Sequence, residues 1–149
     1  RIGFNYRMTE MQAVIGKVQL KKLTYIIKEN KKRYLILGSL IKKKFIIRNN
    51  ISNSEGIFDT FIFFEKNKIK RNKIIKILDR HKVGTKNLPD AIKWHCSFYW
   101  GHAINAKEVR NSKSTKTLLE NSIAIPILLS KKISIYKKIL KEIISLSEK

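Results

Sequence analysis

Gly3-Phe4-Asn5-Tyr6-Arg7-Met8-Thr9-Glu10-Met11-Gln12 is the stretch from which the rest of the chain can be read. Thr9 and Gln12 have the S/T-x-x-E/Q spacing of a capping box, in which each side chain satisfies a free backbone N–H of the other residue. A helix is therefore expected to begin near Glu10. Beyond it Met11, Val14, Ile15, Val18, Leu23, Ile26, Ile27 and Tyr34 recur at steps of three and four, while Lys17, Lys21, Lys22, Lys28, Lys31 and Lys32 mostly fill the gaps. No Pro precedes position 89, and Gly38 is the first glycine placed to stop the helix late. A helix from about Glu10 to about Lys42 is roughly 50 Å long at about 1.5 Å per residue, longer than a small domain is wide. Helices of that length commonly join two bodies or line a subunit interface.

Ahead of the helix, Asn5 and Arg7 flank an aromatic residue just before a positively polarised helix N-terminus. Amide, guanidinium and helix dipole together can hold an anion. Local sequence also allows Asn5 and Arg7 merely to shape a loop and cap the helix, and taken alone it favours that plainer role.

The run Gly-Phe-Asn-Tyr-Arg-Met-Thr-Glu-Met-Gln-Ala, continued by Ile15-Gly16, Gln19-Leu20 and Leu23, resembles the G-x-N-Y-R-M-x-x-x-Q-A-A-x-G-x-x-Q-L-x-x-L signature of the DegT/DnrJ/EryC1/StrS sugar aminotransferases. The second alanine of that pattern is Val14 here, and the Asn and Arg positions are intact. The resemblance implies an α/β type I pyridoxal-phosphate (PLP) transferase of the aspartate-aminotransferase fold. This chain would supply a loop and long connecting helix over residues 1–44 and a small C-terminal α+β domain over 45–149. The chain opens with Arg1 and enters almost at once a motif that lies well past the middle of whole family members. It is accordingly expected to be the C-terminal part of a longer protein.

With 149 residues, 43% of them hydrophobic, the chain can bury one core of ordinary domain size. The 33 Lys and Arg against 11 Asp and Glu give a formal charge of +22, which by itself suggests nucleic acid or an anionic membrane surface. The basic residues are mostly Lys, however, and are spread along the chain beside an excess of Ile and Asn, the pattern of an AT-rich coding sequence. Only Lys42 to Lys44 and Lys66 to Lys73 approach clusters, so neither nucleic acid nor membrane is expected as a partner. The single cysteine, Cys96, excludes an internal disulfide and fits a reducing, cytoplasmic compartment. The longest uncharged apolar run, Ile123 to Leu129, is interrupted by Pro126 and falls far below the roughly 20 residues needed to cross a bilayer, so a soluble protein is expected.

Further along, Asn49 to Gly56 reads as a polar connector. Ile57 to Phe64, aromatic and β-branched with no internal Gly or Pro, reads as a buried strand. Asn72 to Lys82 reads as a short helix ending toward Gly84, and Val83 as the opening of another short strand. This order of strand, helix and strand makes an α+β layer. Near the end, Thr115 to Asn121 reads as a helical turn and Ile123 to Ile127 as a short strand. Ser130 is placed to cap a last helix that carries Ile133, Tyr136, Ile139, Leu140, Ile143 and Ile144 on one side.

Gly84 to His102 gathers two of the three His, both Trp and the only Cys in a segment without sustained periodicity. Such loops often carry function, although buried Trp rings and hydrogen-bonded His95 and His102 would account for it equally. A metal site built from His81, His95, Cys96 and His102 is set aside, because adjacent ligands rarely reach one ion and no paired C-x-x-C or H-x-x-x-H spacing is present. A Cys96 nucleophile is set aside too, since neither an orienting residue nor oxyanion donors can be located.

In the resembling family the equivalent segment lines the sugar side of the active site. Its usual Tyr-x-Pro-Leu-His form is absent here. The version Gly-Thr-Lys-Asn-Leu-Pro-Asp-Ala-Ile-Lys-Trp-His is similar to members acting on an eight-carbon ulosonic sugar acid, the 8-amino-3,8-dideoxy-octulosonate transaminases. The resemblance covers nearly the whole chain, firmest over residues 3–23 and looser between 40 and 80. It implies transfer of an amino group from a donor such as glutamate to a keto or aldehyde sugar for cell-surface polysaccharide or lipopolysaccharide. The cofactor would be PLP and the enzyme a homodimer that shares its active sites across the interface.

The resemblance also implies that Asn5 contacts the cofactor phosphate of the other subunit and that Arg7 faces the anionic groups of the substrate. Lys86, His95 and His102 are the further substrate-binding candidates. No Lys here stands in the family's S-x-x-x-x-K context followed by Gly-Gly, so no catalytic residue is expected within this chain, which should be inactive alone. Two other classes stay open at this stage: a truncated, non-catalytic relative, and a basic nucleic-acid-binding protein.

Overall fold

The computed structural model describes residues 7–49, 51–86 and 91–147. Helix α1 runs Glu10–Ile41 and begins with the expected capping box: Thr9 Oγ1 accepts the Gln12 N–H at 3.3 Å and Gln12 Oε1 accepts the Thr9 N–H at 3.0 Å. Gly38 does not stop it. The helix continues one turn past that glycine, and the Lys42 N–H closes on Gly38 O at 3.1 Å.

Three antiparallel strands follow the order β1-β2-β3, with β1 at Ile46–Ile47, β2 at Thr60–Phe64 and β3 at Ser122–Pro126. Phe61 pairs with Ile125 and Phe63 with Ile123, which places four fully buried side chains on one face of the sheet. Against them pack Leu37 and Ile41 of α1, Ile74 and Leu78 of α2 (Lys68–Arg80), and Tyr136, Ile139, Leu140 and Ile143 of α6 (Ile133–Ser147). The remaining helices are short: α3 at Ala91–His95, a 3-10 turn at Ser97–Tyr99, α4 at Ala106–Asn111 and α5 at Lys113–Asn121.

Several boundaries differ from the sequence reading. The strand expected from Ile57 begins only at Thr60, because Phe58 sits at φ +52° and turns the chain. That turn is held by Asn30, buried in α1, whose amide donates to Ile57 O at 3.2 Å, and by edge contact of the Phe58 ring with Tyr34.

Helix α2 starts at Lys68 rather than Asn72, since Asn67 Oδ1 accepts from both Ile69 and Lys70 N–H. At its other end Lys82 takes φ +53° and the Val83 N–H reaches back to Leu78 O at 3.0 Å. Val83 therefore opens no strand. It is the buried apolar residue that closes a Schellman stop. Helix α6, finally, begins at Ile133, three residues beyond the expected cap Ser130. No described helix is long and apolar enough to cross a membrane.

Candidate functional site

Asn5, the expected phosphate contact, lies outside the described residues. Arg7 is exposed two residues before the Thr9 cap and has no hydrogen bond or ion pair with any other described residue. Of the first-turn amides, that of Gln12 is occupied by the Thr9 cap. The Arg7 guanidinium is a planar fork of the kind that matches a carboxylate or a phosphate.

Lys86 is not uncommitted. Its Nζ stands 2.5 Å from Asp59 Oδ2, and its backbone N–H donates to Ala124 O at 3.0 Å. The hydrogen bond from Lys86 holds the Asp59 carboxyl below the ordinary aspartate range, against an opposing effect of burial. Thr85 adds a hydroxyl donor to the same Ala124 carbonyl at 3.0 Å, so the segment leaving α2 is laced to β3 without forming a strand. Asp59 has no signal in the sequence as a partner of Lys86, because the two lie 27 residues apart.

His95 ends α3 and His102 lies in the turn after the 3-10 segment, and both are exposed. No described contact brings them together. Among the described residues no three His, Cys, Asp or Glu lie close enough to hold a metal ion. Cys96 is 1% exposed beneath the 3-10 turn, which keeps its thiol from incoming electrophiles.

The segment that carries these residues is well anchored. The Trp100 indole N–H donates to Trp94 O at 3.1 Å, and the Ser97 hydroxyl bonds that of Ser112, the residue between α4 and α5. Tyr99 OH donates to Glu120 Oε1 at 3.1 Å. Glu120 also takes Lys116 Nζ at 2.8 Å, and the Lys116 ammonium lies over the rings of Phe98 and Tyr99. That hydrogen bond from Lys116 is the main cause lowering the Glu120 carboxyl below its ordinary range and raising the ammonium above its own. The i,i+4 spacing of Lys116 and Glu120 was visible in the sequence; their meeting with Tyr99 was not. Trp94, by contrast, keeps its ring 71% exposed on α3.

A small antiparallel sheet backed by α1, α2 and α6, with the long α1 leading into it, is part of an aminotransferase fold. It superposes on a solved structure assigned as a sugar aminotransferase from Streptococcus pneumoniae in its PMP form, with a TM-score of 0.72 over 95% of this chain. The two sequences are 16% identical, and the match spans 35% of that chain. No curated protein matches the sequence. The model of the DegT/DnrJ/EryC1/StrS aminotransferase family matches residues 1–142, and the chain belongs to that family. Members of the family are PLP-dependent.

Proposed function

We propose that this chain is the C-terminal, cofactor- and sugar-contacting portion of a PLP-dependent sugar aminotransferase. It would move an amino group from an amino acid such as glutamate to a keto or aldehyde sugar destined for cell-surface polysaccharide or lipopolysaccharide. The observation that carries the reading is Arg7, exposed and without a partner among the described residues, within the Asn5-Tyr6-Arg7-Met8 sequence of the family match. PLP supplies the electron sink when bound. The lysine that carries it is contributed by a polypeptide segment outside these 149 residues, because no Lys here stands in the family's context.

Asn5 serves the cofactor phosphate of a second subunit through its amide N–H donors, which makes the working enzyme a homodimer. Arg7 binds an anionic group of the acceptor and fixes the orientation of its carbonyl. His95 and His102, exposed on the segment after α2, close over the sugar and exclude water. Lys86, neutralised by Asp59, acts there as an ion pair and serves sugar hydroxyls better than an isolated cation would.

An acceptor bearing a carboxylate, such as an ulosonic acid, suits Arg7 best. In single-turnover assays on the amino form of the complete enzyme, Arg7→Ala should cost about 2 kcal/mol or more in kcat/KM for the sugar half-reaction and much less for the glutamate half-reaction. Preference for a UDP-, GDP- or dTDP-linked keto sugar over an octulosonate aldehyde would overturn the ulosonate acceptor and leave amino transfer standing. A complete protein that stays monomeric and develops no cofactor absorbance with added PLP would overturn the whole reading.

A further inference from the structure

Between the start of α2 and the end of α5 lies a cavity of about 370 Å³ lined by Lys66, Lys68, Arg71, Ile92, Glu120 and Asn121. Its size falls within the range of small-ligand sites. Most amides at the start of α2 are already satisfied, since Asn67 Oδ1 accepts from Ile69 and Lys70 and Glu65 Oε1 accepts from Asn67, so recognition there rests chiefly on side chains.

Arg71 is half-buried, and its Nε–H donates to Ser122 O at 3.2 Å, which ties the guanidinium to β3. It forms no ion pair with any described residue, and neither do Lys66 and Lys68, which are exposed at the rim. Among the described residues of the lining the one carboxylate, Glu120, is engaged by Lys116 at 2.8 Å and Tyr99 at 3.1 Å. Burial pulls the Arg71 guanidinium below its ordinary range against the weaker opposing charge of Glu120, the mark of a cation short of hydration.

We propose that this cavity binds the phosphate groups of a phosphorylated small molecule, with Arg71 forking one phosphate and Lys66 and Lys68 closing on it from the rim. Among the described lining residues, three cations against one carboxylate leave two net positive charges, which a phosphate group matches and a single carboxylate does not. The volume leaves room for a second phosphate or for the group that carries the first. The proposal does not depend on the amino-transfer reading, because none of these residues belongs to the Asn5–Arg7 element.

Calorimetric titration of the 149-residue chain with inorganic pyrophosphate at fixed ionic strength tests it. Arg71→Gln should weaken binding tenfold or more and Lys68→Gln about threefold, while Lys43→Gln, on the turn after α1, should leave it unchanged. No binding by the unaltered chain would overturn the proposal. So would equal weakening by Lys43→Gln and Lys68→Gln, which means an adventitious ion only, held by diffuse charge. If circular dichroism shows that Arg71→Gln does not fold, the paired variant Lys66→Gln/Lys68→Gln decides: a tenfold loss supports the site and an unchanged affinity overturns it. A parallel titration with UDP separates the sources of the phosphate. Tighter binding than pyrophosphate assigns the site to nucleotide-linked molecules, and equal binding assigns it to free polyphosphate.

Discussion

The two halves of α1 carry the same apolar periodicity and meet opposite fates. From Asn30 onward the helix is built into the core: Leu37 is 1% exposed and Ile41 is 0% exposed, under the sheet and against α6. Before Asn30, Met11, Val14, Ile15, Val18 and Leu23 stay open, with Met11 at 76%. A pattern of three and four residues sets which side of a helix is apolar, and what covers that side depends on the rest of the molecule. The core-bound half is stabilised by its own chain. The open half, with Arg7 at its tip, has no cover among the described residues, and it is the face that the proposed homodimer would cover.

The sharpest way to break this contrast is at Phe61, fully buried between Tyr34 and Phe63. Phe61→Ala should destabilise the chain by about 3–5 kcal/mol in chemical denaturation, through lost transfer energy plus the cavity left behind. A loss under about 1 kcal/mol would mean that the sheet face is not the core. Next is Tyr136, whose hydroxyl donates to Pro126 O at 3.0 Å and accepts the Leu128 N–H at 2.7 Å, fixing the exit of β3 to α6. Tyr136→Phe leaves both half-buried backbone groups without this partner and should cost about 1–3 kcal/mol.

The third test goes the other way. Lys82 holds a left-handed φ of +53° at the end of α2, so Lys82→Gly should raise stability by about 1 kcal/mol, read as a higher denaturation midpoint at constant slope. A fall in stability would show that the Lys82 side chain matters more than the strain of its backbone.

Smaller still is the effect of Glu142, which joins α6 to the end of α2 through His81 at 3.0 Å and through Arg80. Burial pushes its carboxyl up, but the His81 hydrogen bond and the Arg80 charge outweigh that, and the net value lies below the ordinary one. A carboxyl lowered in the folded state stabilises fully above its unfolded value and loses that contribution as pH falls through the folded value. The stability difference between the native chain and Glu142→Gln should therefore be below about 1 kcal/mol at neutral pH and shrink as pH drops below about 4.5, the ordinary value. A difference independent of pH between 7 and about 3 would remove the carboxylate from the account.

The smallest effects belong to the open half. Arg7→Ala and Met11→Ser should each change the stability of the chain alone by no more than about 0.5 kcal/mol, since neither side chain is covered. A larger loss in either would show that this end of α1 is already packed, and the contrast between the halves would fail.

Local chemistry determined a good part of this molecule. The Thr9–Gln12 box and an unbroken period of three and four specified α1 almost to the residue, because capping and helical spacing involve neighbours in sequence. The same kind of signal located β3 and α6, and the Asn5-Tyr6-Arg7-Met8 run carried the family. Tertiary structure decided what distant residues do to one another. Asn30 and Tyr34 hold Phe58 in a turn that shortens β2, and Leu78 draws Val83 into a helix stop. Asp59 takes Lys86, and Ser122 fixes Arg71 at the edge of a cavity. Each of these partners except Val83 lies more than 20 residues away along the chain, where no periodicity links them and only the packed core brings them within a hydrogen bond or a ring contact.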